Sequence, residues 1–309
     1  MKDRKRSIVG IAILIVLLGT GWRSLSYRSR GTDAADGSQA KEAEAAVGVQ
    51  PEAAEAPAAD ETEESVLGYV TEGTEEYWGF VIDNVFHSAK EGDIHYNVYV
   101  PASYDGRKPY ALYFTLPGYE GLYFQGVARN LQSEEFGFEA QKYNEKMIIV
   151  APQLSDWGET SADQIIALVE YFLEQYNIDR SKVYGSGFSG GGETMSRVMG
   201  KRPDLFTAYL QVSSQWDGDY EPVVKNRLPV YFAIGRDDEY YGSKPTREAY
   251  DTLRALYEQQ GLGEEEISDL LVLDVKDHEY FTDRGMSNEH GGGGLFAYDG
   301  EIMGWLFSH

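Results

Sequence analysis

Residues Lys182 to Gly192 read KVYGSGFSGGG, and the remainder of the chain is organised around this stretch. Residues 182–185 predict a short buried strand and residues 193–200 predict a helix. Between them, residues 187–191 match the pattern G-x-S-x-G. A serine at such a strand–turn–helix junction sits on a strained turn, with its hydroxyl group clear of the sheet. A Cβ atom at Gly187 or Gly191 would clash there, and the helix N-terminus would direct backbone N–H groups at an anion beside Ser189.

Ser189 therefore has two interpretations. It is either a nucleophile, or a serine that caps a helix in a glycine-rich turn. The bare motif also arises by chance, so its partners elsewhere in the chain decide between the two. A serine hydroxyl is a weak nucleophile unless a base takes its proton and an acid orients that base. In open α/β sheets such groups collect on loops at the carboxyl ends of the strands, and we favour the nucleophile because candidates follow at those positions.

The base is sought among five histidines. His290 is favoured because it lies in a glycine-rich loop between the last predicted strand and the last predicted helix. His278, at the end of the predicted strand 270–275, is the rival. His87 and His95 are assigned to leading antiparallel strands, away from the carboxyl edge, and His309 is the last residue.

The acid is expected after the predicted strand 229–235, where Gly235-Arg236-Asp237-Asp238-Glu239 follows. Asp238 is favoured because the turn after the strand would bring its side chain back toward the edge of the sheet. Asp237 is the rival, and Asp217 and Asp219 are less favoured. The chain order Ser189, Asp238, His290 is that of the α/β-hydrolase triad.

An oxyanion hole needs two backbone donors where negative charge develops. Gly190, next after the serine, would supply one N–H group. Tyr119, in the loop after the predicted strand 110–116, would supply the other, although Pro-Gly-Tyr is also an ordinary turn. Aromatic residues crowd the expected site, and three are predicted to contact substrate: Trp157, Trp216 and Tyr240. Such side chains suit a phenolic acyl group or a sugar ring, but they also fill protein cores.

Predicted strands and helices alternate from residue 110 onward. Strands are predicted at 77–86, 94–100, 110–116, 147–151, 182–185, 207–213, 229–235 and 270–275. Helices are predicted at 134–144, 161–176, 193–200, 245–260 and 294–307. This order predicts an α/β fold with a mostly parallel central sheet, an antiparallel N-terminal pair and helices on both faces.

Through the motif at 187–191, Asp238 after Gly235, and His290, residues 66–309 resemble the α/β-hydrolase superfamily. Within it, the chain resembles the esterases that include feruloyl esterases, acetyl xylan esterases and polyhydroxybutyrate depolymerases. The resemblance implies an α/β-hydrolase fold and acyl transfer: Ser189 attacks an ester carbonyl, His290 shuttles the proton, Asp238 holds the imidazole, and water releases the acyl group. These families usually have His-Gly where this chain has Pro117-Gly118, so a side-chain role for that histidine is lost.

Two other functions stay open at this stage. The first is a serine peptidase of the prolyl-oligopeptidase type, which shares the triad but usually carries an extra gating domain, which the residues before Val66 could not form. The second is a non-catalytic binding domain on the same fold, which a complete triad in the right order disfavours. No cofactor is expected. Metal-dependent hydrolysis is also disfavoured, because the chain lacks cysteine and H-E-x-x-H.

Charge divides the chain into three parts. Residues 1–30 carry seven basic and one acidic side chain, and their apolar run 8–18 predicts an export signal, either cleaved or retained as a membrane anchor. Residues 31–65 carry one basic and ten acidic side chains and predict a disordered Ala/Glu-rich linker. Residues 66–309 hold an excess of acidic side chains, which disfavours nucleic acid as a partner. A secreted or cell-surface enzyme acting on a small-molecule or polysaccharide-linked ester is therefore expected, with oligomeric state undetermined.

Overall fold

The computed structural model describes residues 66–309 of the chain. The predicted signal or anchor segment 1–30 and the predicted linker 31–65 lie outside the described residues. Within residues 66–309, no helix is both long enough and apolar enough to cross a bilayer.

Ten strands build one sheet in this part of the chain. In chain order they are β1 Gly68–Thr71, β2 Glu75–Tyr77, β3 Phe80–Ser88, β4 Gly92–Tyr99, β5 Tyr110–Leu116, β6 Met147–Pro152, β7 Ile178–Phe188, β8 Ala208–Val212, β9 Val230–Gly235 and β10 Leu271–Lys276. The strand order across the sheet is β1-β3-β4-β6-β5-β7-β8-β9-β10, and β2 pairs with β3.

The sheet is antiparallel on one side and parallel on the other. Strands β1 to β4 pair antiparallel, and β4 also runs antiparallel to β6. From β6 through β5, β7, β8 and β9 to β10 every pairing is parallel. The predicted mostly parallel sheet is confirmed, and its antiparallel part contains four strands rather than the predicted pair.

Helices cover both faces of this sheet. The helices are α1 Arg129–Ser133, α2 Phe136–Ala140, α3 Glu159–Gln175, α4 Gly190–Lys201, α5 Glu221–Asn226, α6 Lys244–Gln259, α7 Glu264–Leu270, α8 His278–Thr282 and α9 Gly300–Phe307. Apolar residues of α3 to α7 belong to one buried cluster, and those of α1, α2, α8 and α9 belong to a second cluster.

Strand β5 shows how one strand serves both clusters. Leu112 and Phe114 join the first cluster, whereas Ala111 and Tyr113 join the second. Successive side chains of a strand point to opposite faces of the sheet, so a continuous apolar run fits a strand that is covered on both sides. All seven residues of β5 are buried, and its bounds match the predicted strand.

Two predicted helices differ from the structure. The predicted helix 294–307 is wrong in its first half, because 291–298 is a 3₁₀-helix and α9 begins only after Asp299, whose carboxylate accepts the Glu301 N–H at 3.0 Å. In the predicted helix 134–144, only α2 is an α-helix. Glu134 is extended and separates α2 from the preceding helix α1. Helices α1, α5, α7 and α8 were not predicted, because each is a short segment without a long apolar period.

Candidate active site

Ser189 occupies the turn between β7 and α4. Its backbone has φ +52° and ψ −124°, a conformation that residues with a Cβ atom rarely adopt. Its N–H group donates to the carbonyl oxygen of Val212, the last residue of β8, at 3.0 Å. Non-glycine residues stay in such strained conformations only where the surroundings hold them, and these outliers cluster at functional sites. The predicted strand–turn–helix context of Ser189 is thus present.

The glycines around Ser189 allow close approach of three backbone segments. A Cβ atom on Gly187 would lie 2.5 Å from the carbonyl oxygen of Gly191. A Cβ atom on Gly191 would lie 2.5 Å from the carbonyl oxygens of Leu116 and Pro117, at the end of β5. Real Cβ atoms do not approach backbone so closely, so both positions require glycine.

The structure brings Ser189, His290 and Asp238 into one hydrogen-bonded chain. Ser189 Oγ lies 3.1 Å from His290 Nε2, and His290 Nδ1 lies 2.9 Å from Asp238 Oδ2. The carboxylate can only accept from Nδ1–H, which leaves Nε2 as the acceptor for the serine hydroxyl. The other oxygen of Asp238 accepts the backbone N–H groups of Tyr240 at 3.0 Å and Tyr241 at 2.8 Å. Asp238 is only 4% exposed, so this network holds its carboxylate in place.

The loop that carries His290 is attached to the loop that carries Asp238. Glu239 Oε2 accepts the N–H groups of Glu289 at 2.8 Å and His290 at 3.0 Å. In return, Glu289 Oε2 accepts the N–H group of Asp237 at 2.8 Å. These reciprocal hydrogen bonds hold the imidazole of His290 in place.

The rival candidates point elsewhere. His278 Nδ1 lies 3.1 Å from the buried carboxylate of Glu289. Asp237 is exposed, and Asp217 pairs with Arg197 at 3.0 Å. The predicted position of His95, away from the carboxyl edge of the sheet, was wrong. Strand β4 runs antiparallel to β6, so β4 begins at the edge where β6 ends. His95 lies at the carboxyl edge after all, bound to Asp83 at 2.9 Å.

The two predicted oxyanion donors are the first residues of helical segments. Gly190 begins α4, and Tyr119 begins a short 3₁₀-helix at 119–121. The first N–H groups of a helix have no acceptor within that helix, so these two are open to a ligand. A Cβ atom on Gly118 would lie 3.1 Å from Ser189 Cβ, so the segment that precedes Tyr119 packs directly on the serine.

Glu134 fixes this oxyanion loop, which we define as residues 117–119. Its Oε1 accepts the N–H group of Gly118 at 2.7 Å, and the side chain is buried. Burial raises the pKa of the Glu134 carboxyl group to about 8, although the hydrogen bond from Gly118 opposes the rise. A neutral carboxyl group is therefore the main form at pH 7. No sequence pattern singled out Glu134, because its partner lies in a different loop.

Comparison with known proteins adds the following matches. The prolyl oligopeptidase family model matches residues 154–261, fewer than half of the 309 residues. A thermostable esterase aligns with a TM-score of 0.59 at 20% identity, over 74% of this chain and 63% of that chain. A protein named FAE aligns with a TM-score of 0.53 at 16% identity, over 79% of this chain and 90% of that chain. Oligopeptidase B from Leishmania major aligns with a TM-score of 0.49 at 14% identity, over 74% of this chain and 37% of that chain. No curated protein sequence matches significantly.

The chain has the α/β-hydrolase fold. The sheet order, the serine between β7 and α4 and the acid after β9 all fit this fold, which confirms the predicted fold class. The chain resembles serine hydrolases of the esterase and prolyl-oligopeptidase kinds. It spans less than two thirds of the length of the thermostable esterase.

Two of the three predicted substrate-contacting aromatic residues border the candidate site. Trp157 packs directly on Gly190, since a Cβ atom added to Gly190 would lie only 2.8 Å from the indole ring of Trp157. Tyr240 is 69% exposed, with its ring centroid 5.2 Å from that of His290. The predicted substrate contact of Trp216 was wrong. Trp216 is only 8% exposed, donates its indole N–H to the Gly218 carbonyl at 2.8 Å and belongs to the core.

One further pair of side chains, beside Ser189, was not predicted from the sequence. Tyr241 donates its hydroxyl hydrogen to Glu193 Oε1 at 2.5 Å. Glu193 lies in the first turn of α4, four residues after Ser189, and Tyr241 follows the predicted Tyr240. The spacing of Glu193 from the serine was the one available signal. Within residues 66–309, no group of three or more His, Asp or Glu side chains is placed to hold a metal ion.

Proposed function

We propose that this α/β-hydrolase is a serine carboxylic ester hydrolase. One observation supports the proposal above the others: Ser189 Oγ, His290 and buried Asp238 form a continuous hydrogen-bonded chain with distances of 3.1 Å and 2.9 Å. Nucleophile, base and orienting acid in hydrogen-bond reach are the requirement for acyl transfer through serine.

The proposed reaction has two halves. In the first, Ser189 Oγ bonds to the ester carbonyl carbon while His290 Nε2 takes the hydroxyl proton. The oxygen anion that results is bound by the N–H groups of Tyr119 and Gly190. The bond from carbon to the leaving oxygen then breaks, and His290 returns the proton to the departing alcohol. In the second half, water attacks the acyl carbon while His290 takes a proton from the water, and the same two N–H groups bind the oxygen anion. The bond from carbon to Ser189 Oγ then breaks, His290 returns the proton to Ser189, and the carboxylic acid leaves.

Two candidate reactions share this machinery. The esterase is favoured because the alignments above a TM-score of 0.5 include a thermostable esterase. A prolyl-oligopeptidase-type peptidase is the second candidate, because the prolyl oligopeptidase family model matches the range that holds Ser189 and Asp238. A non-catalytic domain is disfavoured, since it would have no need of a strained serine with an oriented base.

The cellular location of the protein is proposed from residues 1–30 alone. Lys2 to Arg6 followed by the apolar run 8–18 is typical of an export signal or an N-terminal anchor. We propose a secreted or surface-tethered enzyme whose substrate is a small-molecule or polysaccharide-linked ester. Cell fractionation tests this part: activity confined to the cytosol would contradict it.

A comparison of two matched substrates tests the proposed reaction. The full chain is assayed with p-nitrophenyl acetate and with a p-nitroanilide of a short proline-containing peptide, beside Ser189→Ala. We expect ester turnover that falls by more than about a thousandfold in Ser189→Ala. Cleavage of the anilide without ester turnover would favour the peptidase. No turnover of either substrate by the folded protein would contradict the serine hydrolase.

A further inference from the structure

The half-buried Tyr241 and the buried Glu193 form a pair beside Ser189 that has no part in the proposed triad. Glu193 is 9% exposed, and its Oε1 accepts the Tyr241 hydroxyl hydrogen at 2.5 Å. A phenol has one hydrogen to donate, so an ionised Glu193 commits that hydrogen. The phenol oxygen then presents only acceptor lone pairs to the site.

The position of the phenol oxygen indicates which part of a substrate it meets. Burial and the bond to Glu193 raise the pKa of the Tyr241 phenol, and its interaction with the Ser189 side chain opposes the rise, which places the phenol oxygen close to Ser189. Its ring centroid lies 5.5 Å from that of His290. The imidazole delivers a proton to the leaving oxygen, so Tyr241 lies on the leaving-group side of the scissile bond.

The phenol oxygen of Tyr241 keeps free lone pairs, because its own hydrogen is committed to Glu193 and the Ser189 hydrogen is committed to His290. An unpaired acceptor in a partly buried place is unfavourable unless the substrate supplies a hydrogen. A hydroxyl group on the carbon next to the ester oxygen would be a donor of this kind.

We propose that Tyr241, positioned by Glu193, determines leaving-group specificity by accepting a hydrogen bond from a hydroxyl group adjacent to the ester oxygen of the alcohol. The favoured substrates are esters of polyol-type alcohols, and this inference rests on the proposed ester hydrolysis. The exposed ring of Tyr240, 4.6 Å from that of Tyr241, offers a flat face to the same alcohol.

The test compares two esters that differ only in the hydrogen-bond donor. 2-Hydroxyethyl acetate and 2-methoxyethyl acetate share an acyl group and an oxygen at the same place, but only the first can donate. The ratio of their kcat/KM values is measured with the full chain and divided by the ratio of their rates with hydroxide. We expect a ratio of about ten in the wild type, since one hydrogen bond is at stake. A wild-type ratio near one overturns the proposal without any variant, and failure to hydrolyse either ester contradicts the proposed function instead.

Matched tyrosine variants locate the effect. Tyr241→Phe removes only the phenol oxygen, and we expect its ratio to fall to about one. Tyr231→Phe is the control, because Tyr231 also donates to a carboxylate, Asp274 at 2.8 Å, but at the amino end of β9. We expect the wild-type ratio in this control. A ratio that survives in Tyr241→Phe overturns the proposal.

The pH dependence of the same ratio separates positioning from mere packing. Burial raises the pKa of the Glu193 carboxyl group, Asp217 adds to the rise, and Tyr241 and Arg197 oppose it. A protonated Glu193 can donate to the phenol and release its hydrogen, so the wild-type ratio should shrink as pH falls. His290, with Asp238 and Tyr240 around it, also faces Tyr241, but its ionisation affects both esters equally and cancels in the ratio. A ratio that is constant with pH would show that the charge of Glu193 has no such role.

Discussion

Replacement of Glu134 by glutamine should change how the stability of the protein depends on pH. The side chains have nearly the same shape, and a glutamine oxygen can still accept the Gly118 N–H group that Glu134 binds at 2.7 Å. The difference is that glutamine cannot ionise. The buried carboxyl group has its pKa raised from an ordinary 4.5 to about 8, chiefly by burial.

The size and sign of the effect follow from this rise. The folded state favours the protonated form, so its stabilising contribution is fully present below about pH 4.5 and is lost as pH rises toward 8. Each pH unit between the two pKa values costs about 1.4 kcal/mol of unfolding free energy. Between pH 5 and pH 9 the loss is therefore about 4 kcal/mol, and Glu134→Gln is free of it.

Urea unfolding at pH 5 and pH 9 measures this prediction. All other titrating groups are common to the two proteins, so the free energy of unfolding of Glu134→Gln minus that of the wild type isolates Glu134. We expect this difference to increase by about 4 kcal/mol from pH 5 to pH 9. An equal pH dependence in both proteins would refute the assignment of a buried neutral carboxyl group.

The same ionisation should affect activity. Glu134 holds the oxyanion loop, so its negative charge above pH 8 would oppose the anion that the Tyr119 N–H group is proposed to bind. We expect kcat/KM of the wild type to fall above about pH 8 and kcat/KM of Glu134→Gln to stay constant there. The same fall in kcat/KM above pH 8 in both proteins would show that Glu134 does not act on the reaction.

Other variants test the candidate triad and the turn at Ser189. Asp238→Asn should lower kcat by roughly 10³ to 10⁴-fold with little change in stability, because the imidazole loses the partner that holds its tautomer; near-normal kcat would contradict this. His290→Ala should abolish activity whereas His278→Ala should retain most of it, and the reverse result in the same ester assay would make His278 the base. Gly191→Ala should lower unfolding free energy by about 1–3 kcal/mol, since its Cβ atom would lie 2.5 Å from two carbonyl oxygens. Gly300→Ala, with nothing within 4 Å, is the control, and equal stability of the two alanine variants would refute the packing argument.

The sequence predicted those parts of the fold that depend on local patterns. Continuous apolar runs such as 110–116 gave correct strands because both faces of the sheet are covered. The glycines at positions 187 and 191 predicted a close-packed turn at Ser189, because the contact between backbone segments leaves no room for a Cβ atom. The break of the last predicted helix at Asp299 was missed, because a capping carboxylate and a 3₁₀ segment leave no clear period.

The errors in the candidate site have another origin. His95 was placed at the wrong edge because the direction of β4 relative to β6 depends on pairing between distant segments. Trp216 was placed in the cleft because chain position alone does not distinguish a loop that opens to solvent from one that folds over the core. The pair of Tyr241 and Glu193 joins residues 48 positions apart, and no local pattern encodes such a contact.

The most direct test of the account is covalent labelling of the proposed nucleophile. The full chain is incubated with a fluorophosphonate, digested, and mapped by mass spectrometry, beside Ser189→Ala and His290→Ala. We expect a single adduct on the peptide that contains Ser189, absent from Ser189→Ala and formed far more slowly in His290→Ala, since a serine without its base is a weak nucleophile. A folded protein that forms no adduct, or forms it at another residue, would contradict the claim that Ser189 is the activated nucleophile of this protein.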